Sequence, residues 1–215
     1  ATEAMSILNN GNVGIGTAAP SAKLDVSAGN IDIDNTTNAN QYGIITKNGG
    51  TRFIHNFNYG NNGTVTTSGY NTFVGENAGN LTMGSTATAA HEGSYNTVVG
   101  NSALVNNTTG YSNTANGLNS LYSNTTGYYN TANGLNSLYS NTTGYSNTAN
   151  GLNSLYSNTT GYYNTANGMN SLYSNTTGYS NTANGLNSLY SNTTGYSNTA
   201  NGFYSLYSNT TGVGN

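Results

Sequence analysis

The chain has 215 residues, of which 4% are charged and 34% hydrophobic, with a formal net charge of −3. Soluble domains usually carry about a quarter charged residues, whereas here Asn alone supplies 43 positions. Lys23, Lys47 and Arg52 are the only Lys and Arg, so the clustered cations that neutralise phosphates are missing and nucleic acid is excluded as a partner. No apolar run approaches the ~20 residues of a helical membrane span. A chain without Cys has no disulfide, thiol chemistry or Cys-ligated zinc. It opens on Ala1 without an initiator Met and is expected to be processed or a piece of something longer.

In chain order, residues 1–67 read as an N-terminal linker and small β region. Pro20 and its small-residue flanks suggest a linker before Lys23–Val26. Ile31-Asp32-Ile33-Asp34 alternates as a short strand does. Tyr42–Thr46 and Thr51–Phe57, around Asn48-Gly49-Gly50, read as a β-hairpin. This region is expected to cap the exposed edge of the repeats that follow. Its chemical groups are sparse. Asp32, Asp34 and Asn35 offer oxygens of the kind calcium takes, but no Gly turn or distal Glu completes a loop. Gly11, Gly14 and Gly16 mimic part of a dinucleotide fingerprint, yet Pro20 follows and no helix pattern does. His55 and His91 lack a nucleophile or a third ligand. No catalytic, cofactor or metal residue is therefore expected.

Residues 68–92 read as a first repeat-like coil, SGYNTFVGENAG at Ser68–Gly79, followed by an irregular insertion, Asn80–Glu92, expected to be a loop. Residues 93–215 are repeats. Gly110, Gly127, Gly144, Gly161, Gly178, Gly195 and Gly212 stand 17 residues apart, and the unit reads G-Y-S/Y-N-T-A-N-G-L-N-S-L-Y-S-N-T-T. A divergent copy, Gly93–Thr109, precedes six near-identical ones. All charged residues and both His lie before Gly93, leaving only tyrosines to titrate beyond it. Enzyme activity is not expected.

Two Gly per unit and an Asn-Thr-Thr end are strongly anti-helical. Two short extended segments per unit, Y-x-N-T-A-N and L-N-S-L-Y-S, with Gly and Asn turning the chain between them, make one coil of a parallel β-solenoid. Coils stacked at the ~4.8 Å strand spacing turn each repeat position into a column. Three columns are expected to form the core: Ala115, Ala132 and Ala149 with their later equivalents, Leu118 and Leu135 with Leu152, Met169, Leu186 and Phe203, and Leu121, Leu138 and Leu155 with theirs. So thin a core does not offset a chain-ordering cost of about 1–2 kcal/mol per residue, which points to side-chain ladders and an oligomer. Asn116 and its equivalents are expected to form an amide ladder or a polar seam.

The order of motifs is similar to a known group. NNGNVGIGTAAPSAKLDV (Asn9–Val26), RFIHNFNYG (Arg52–Gly60), GYNTFVGENAGN and the NTANG…SLYSNTTG units resemble repeat regions of phage tail fibres and bacterial surface fibres. Those in turn look related to the β-roll heads of trimeric autotransporter adhesins. The resemblance implies a homotrimeric fibre at a cell surface or virion tail, although the 17-residue unit is longer than the adhesin-head unit.

Function is thus expected to be structural: a solenoid stalk in an extracellular or virion-surface fibre, adhesive or growing head to tail into a filament. The alternative is a module binding cell-surface glycans through two tyrosine columns, Tyr111, Tyr128 and Tyr145 with their equivalents, and Tyr122, Tyr139 and Tyr156 with theirs; packing between chains is the other use of these rings. Ice binding is a remote alternative, because Thr114 pairs with Asn116 rather than a second Thr. Asn124, Asn141, Asn158, Asn175, Asn192 and Asn209 each begin an N-x-T pattern, read as turn residues first and as glycosylation sites second.

Overall fold

The computed structural model describes residues 5–26, 45–47 and 51–215. It divides into two compact units, Ala1–Asp34 and Asn35–Asn215. The Ile31–Asp34 strand, the Asp32, Asp34 and Asn35 oxygens and the Asn48-Gly49-Gly50 turn lie outside the described residues.

In the first unit, β1 (Met5–Ile7) pairs antiparallel with β2 (Val13–Ile15), which pairs parallel with β3 (Leu24–Val26). Part of the expected linker is therefore hydrogen-bonded strand. Gly14 has no room for a Cβ, which would strike the Thr17 carbonyl and Ser6 Oγ.

The second unit is a parallel β-solenoid of 17-residue coils, and no helix occurs among the described residues. Its sheet has ten strands: β4 (Ile45–Lys47), β5 (Thr51–His55), β6 (Thr72–Val74), β7 (Thr97–Val99), β8 (Thr114–Asn116), β9 (Thr131–Asn133), β10 (Thr148–Asn150), β11 (Thr165–Asn167), β12 (Thr182–Asn184) and β13 (Thr199–Asn201). From β6 to β13 every pairing is parallel and brings equivalent residues together, as Ala149 meets Ala132 and Ala166. The hairpin arms β4 and β5 are antiparallel, and β5 pairs antiparallel with β6.

Each coil has one strand, not two. In the coil from Gly144 to Thr160, Thr148–Asn150 is extended, while Leu152–Ser157 is a run of turns. The reason is backbone handedness: Asn153 (φ 53°) and Leu155 (φ 51°) are left-handed, as is Ser146 (φ 54°), and a strand cannot pass through such residues. An L-residue held there costs roughly 1–2 kcal/mol, repeated in every coil. Gly151, at φ 133°, is required twice over, because a Cβ would also strike the Gly168 carbonyl of the next coil.

Burial corrects the expected core. The Ala115 and Leu121 columns are inside: Ala115, Ala132, Ala149, Leu121, Leu138 and Leu155 are all fully buried. The third column is outside. Leu118 is 46% exposed and Leu135 40%, with Leu152, Met169 and Phe203 alongside. Left-handed residues on either side of the serine, such as Asn119 and Leu121, turn Leu121 in and leave Leu118 out. The space assigned to it is filled by polar columns, Asn113, Ser120 and Asn124 and their equivalents, nearly all fully buried.

The insertion after the first coil is smaller than expected. Gly84 N–H donates to the Thr108 carbonyl and Gly93 N–H to the Thr109 carbonyl, so only residues 85–92 leave the coil path. Met83 is buried in the core.

Candidate functional site

What the coil offers chemically begins with its interior amides. Asn147 Nδ2 donates to Asn130 Oδ1 (3.1 Å) and to the Gly161 carbonyl (2.8 Å). Its Oδ1 accepts from the backbone N–H (3.1 Å) and Nδ2 (3.2 Å) of Asn164. Asn158 Nδ2 donates to Asn141 Oδ1 (2.8 Å) and to the same Gly161 carbonyl (3.1 Å). A Cβ on Gly161 would strike Asn158 Oδ1 and the Gly178 carbonyl, so Gly is what lets two amides clamp one carbonyl. The Ser154 hydroxyl donates to the Gly151 carbonyl at 3.1 Å. A buried polar group left unpaired costs about 1–3 kcal/mol; here each amide is paired by its equivalent one coil away and the serine within its own coil.

This disposes of the glycosylation reading. Asn124, Asn141, Asn158, Asn175 and Asn192 are fully buried with both amide hydrogens donated, and Asn209 in the last coil is half-buried and bonded to Asn192. No glycosyl group reaches the buried nitrogens without dismantling the coil. Their use is the turn and the ladder.

The outer surface carries further ladders. Asn133, Asn150, Asn167 and Asn184 each donate Nδ2 to the next Asn Oδ1, at 2.7 to 2.9 Å. Thr159 Oγ1 donates to the Thr176 carbonyl at 3.1 Å. The tyrosines of the two expected columns stack face to face: Tyr111–Tyr128 at 4.9 Å, Tyr128–Tyr145 at 5.0 Å, Tyr122–Tyr139 at 5.1 Å and Tyr139–Tyr156 at 5.2 Å, all within 8° of parallel. His91 lies edge-on to Tyr111 at 4.4 Å, at one end of its column. Both faces of each inner ring are covered by other rings, so these columns present edges and hydroxyls rather than faces. Desolvation, and next the neighbouring phenols, push Tyr111, Tyr145 and Tyr179 above the ordinary phenol value. They stay neutral at physiological pH and are poor nucleophiles.

Two basic side chains stand on β5, His55 buried and Arg52 half-buried. His55 is 3% exposed, packs on Phe73 with ring centroids 4.6 Å apart, and shares a 2.9 Å hydrogen bond between Nε2 and the Ala78 carbonyl. Burial first, and the nearby Arg52 charge, pull its pKa from 6.5 to about 4 against the opposing effect of that bond. It is neutral at pH 7 and closes the end of the core. Arg52 donates Nη2 to the Gly79 carbonyl at 3.0 Å. A small polar cavity of about 250 Å³, lined by Asn56, Asn58, Ser68, Tyr70 and Asn71, lies nearby. These five residues supply amides and two hydroxyls, with no carboxylate, imidazole or amine among them.

Among the described residues no three of His, Asp or Glu gather as a metal site would need, and no helix is long and apolar enough to cross a membrane. Comparison with protein-family models, curated proteins and solved structures found no match to the chain.

Sequence reasoning missed the buried Asn113, Ser120 and Asn124 columns and the exposure of the Leu118 column. The signal for the former was present: Asn113 and Asn124 stand in every unit, including the divergent Gly93–Thr109 copy as Asn96 and Asn107, whereas Asn116 is replaced there by Val99.

Proposed function

We propose that this chain is a structural segment of an extracellular or virion-surface fibre, a β-solenoid stalk that spaces and stiffens and that associates with copies of itself. Three-fold association follows the fibre and adhesin resemblance. One observation carries the reading. Backbone, amide and tyrosine ladders all repeat from coil to coil along one axis, so bending or stretching the column must distort many hydrogen bonds of about 0.5–1.5 kcal/mol each at once. A rod is what such a pattern builds.

The outer column of Leu118, Leu135, Leu152, Met169 and Phe203, all exposed, with the half-buried Leu186, supports the association. It is an apolar stripe along the axis of an otherwise polar surface, and contiguous exposed apolar surface marks an interaction face. A second copy carries the same stripe at the same pitch. The β4–β5 hairpin serves this reading as a cap, since its antiparallel pairing takes up the strand edge of the first coil.

Light scattering and electron microscopy of the purified protein test it. A mass of about three times 22.2 kDa and straight rods are expected, and Leu152→Asp is expected to release monomers whose coils stay folded. A 22.2 kDa particle at every concentration rejects the association.

A further inference from the structure

The six near-identical coils differ at their third position, which reads Ser112, Tyr129, Ser146, Tyr163, Ser180 and Ser197. The two tyrosines are unlike those of the ladders. Tyr129 is 58% exposed and Tyr163 57%, and both have left-handed backbones at φ 55°, where a bulky side chain is an outlier. Neither feature stabilises the coil, and serine serves the same position in the flanking coils.

Their rings are set in a specific way. Tyr129 stands 5.3 Å from Tyr111 and 5.4 Å from Tyr128, at 78° and 79° to them. Those two ladder rings are themselves stacked 4.9 Å apart, too close for an edge to enter between them. Tyr129 must therefore lie with one face across their outer edges, spanning the step between two coils and turning its other face to solvent. Tyr163 repeats this on Tyr145 and Tyr162, at 5.4 Å and 80°, and 5.4 Å and 78°. The two platforms are two coils apart along a ladder whose rings succeed one another at 5.0 Å. Ser146 keeps the surface low between them.

We propose that Tyr129 and Tyr163 form a binding site for a neutral, extended β-1,4-linked glycan lying along the solenoid axis. Two coils match the length of one disaccharide in such a chain. Successive sugars in it are flipped, so every second ring offers the same C–H face, and a platform at every second coil meets that face each time. All-equatorial pyranoses of the glucose or N-acetylglucosamine type have the flat apolar faces that aromatic rings accept. The surroundings are mainly hydroxyls and amides: no Lys, Arg, Asp or Glu follows Glu92, whose charge acts on Tyr111 at the end of the ladder. The site is independent of self-association, and it uses open ring faces that the stacked ladders lack.

Depletion assays with microcrystalline chitin and microcrystalline cellulose, and amylose as an α-linked control, test this on the full chain. The protein is expected to bind at least one β-linked solid and not amylose; which solid it prefers identifies the sugar. Tyr129→Ser and Tyr163→Ser, which restore the residue of the neighbouring coils and should not change melting, are each expected to weaken binding about tenfold. Ser197→Tyr, two coils beyond Tyr163, is expected to tighten it by adding a third platform. Absence of binding to both β-linked solids, equal binding to amylose, or unchanged binding by the double Ser variant overturns the proposal. None of these outcomes depends on the mass or shape of the assembly.

Discussion

The first coil and the inner coils solve the same packing problem with different residues. In the inner coils the interior is Ala149, Leu155 and the polar Asn147, Ser154 and Asn158. At the first coil the equivalent space holds Phe73, Ala78 and Met83, with Phe57 and His55 beyond them. The amide column containing Asn124 and Asn107 ends on Met83, whose sulfur accepts from Asn107 Nδ2 at 2.8 Å. A side chain with an equivalent on both sides can be polar and buried, because the stack pairs it. Where the stack stops, the residue either tolerates having no such neighbour, as Met83 does, or finds a backbone partner, as buried Asn71 does in the Phe57 carbonyl.

The contrast is sharpest at the buried amides. Asn147→Ala is expected to cost at least about 3 kcal/mol, because it strips the Asn164 N–H of its acceptor and opens a gap in the interior. The same change at Asn150, in the surface ladder, is expected to cost under about 1 kcal/mol, since water replaces the lost bond. Equal losses in denaturant unfolding would break the argument that the interior amides carry the coil.

Apolar columns divide the same way. Leu155→Ala is expected to destabilise by about 2–5 kcal/mol. Leu152→Ala, three residues earlier, should leave the stability of an isolated chain nearly unchanged and instead weaken association. A melting series at several protein concentrations separates the two effects.

Acid should loosen the first coil and spare the repeats. His55 has a folded pKa of about 4 against 6.5 when unfolded, so its neutral form is the one the fold prefers. Its contribution is complete above pH 6.5 and is lost progressively as pH falls from 6.5 to about 4, a change of about 3 kcal/mol. Residues 110–211 hold no group other than the phenols that titrates. Hydrogen exchange at pH 4.5 and 7.5, corrected for intrinsic rates, is expected to show β5 and β6 losing protection while β9 to β11 keep theirs. Uniform loss would refute the assignment to His55.

The smallest effect concerns backbone strain. Ser146→Gly, at φ 54°, is expected to stabilise by up to about 1 kcal/mol, relief of the left-handed conformation being partly offset by the entropy that Gly loses on folding. A measurable loss would mean that the Ser146 side chain contributes more than its backbone costs.

A period of 17 with two Gly per unit was enough to read a parallel solenoid, its vertical columns and the burial of Ala115 and Leu121, because translation by one coil is a property of the sequence alone. The facing of each column was harder to read. Hydrophobicity placed Leu118 inside and left Asn124 as a turn residue, whereas Leu118 is exposed and Asn124 is buried, because three left-handed residues per coil set the direction of every side chain and neither Leu nor Ser announces that conformation. Likewise Tyr129 and Tyr163 were legible as two departures from serine in the repeat, but their open faces depend on the ladder beneath them.

What the sequence determined by itself is therefore the repeat, the axis and the lack of charged side chains over the repeats, all consequences of periodicity and composition. Only the tertiary structure decided which amides are interior. An asparagine can be buried at no net penalty only if another amide stands one coil away at hydrogen-bonding distance, and that distance exists only once the coils have stacked.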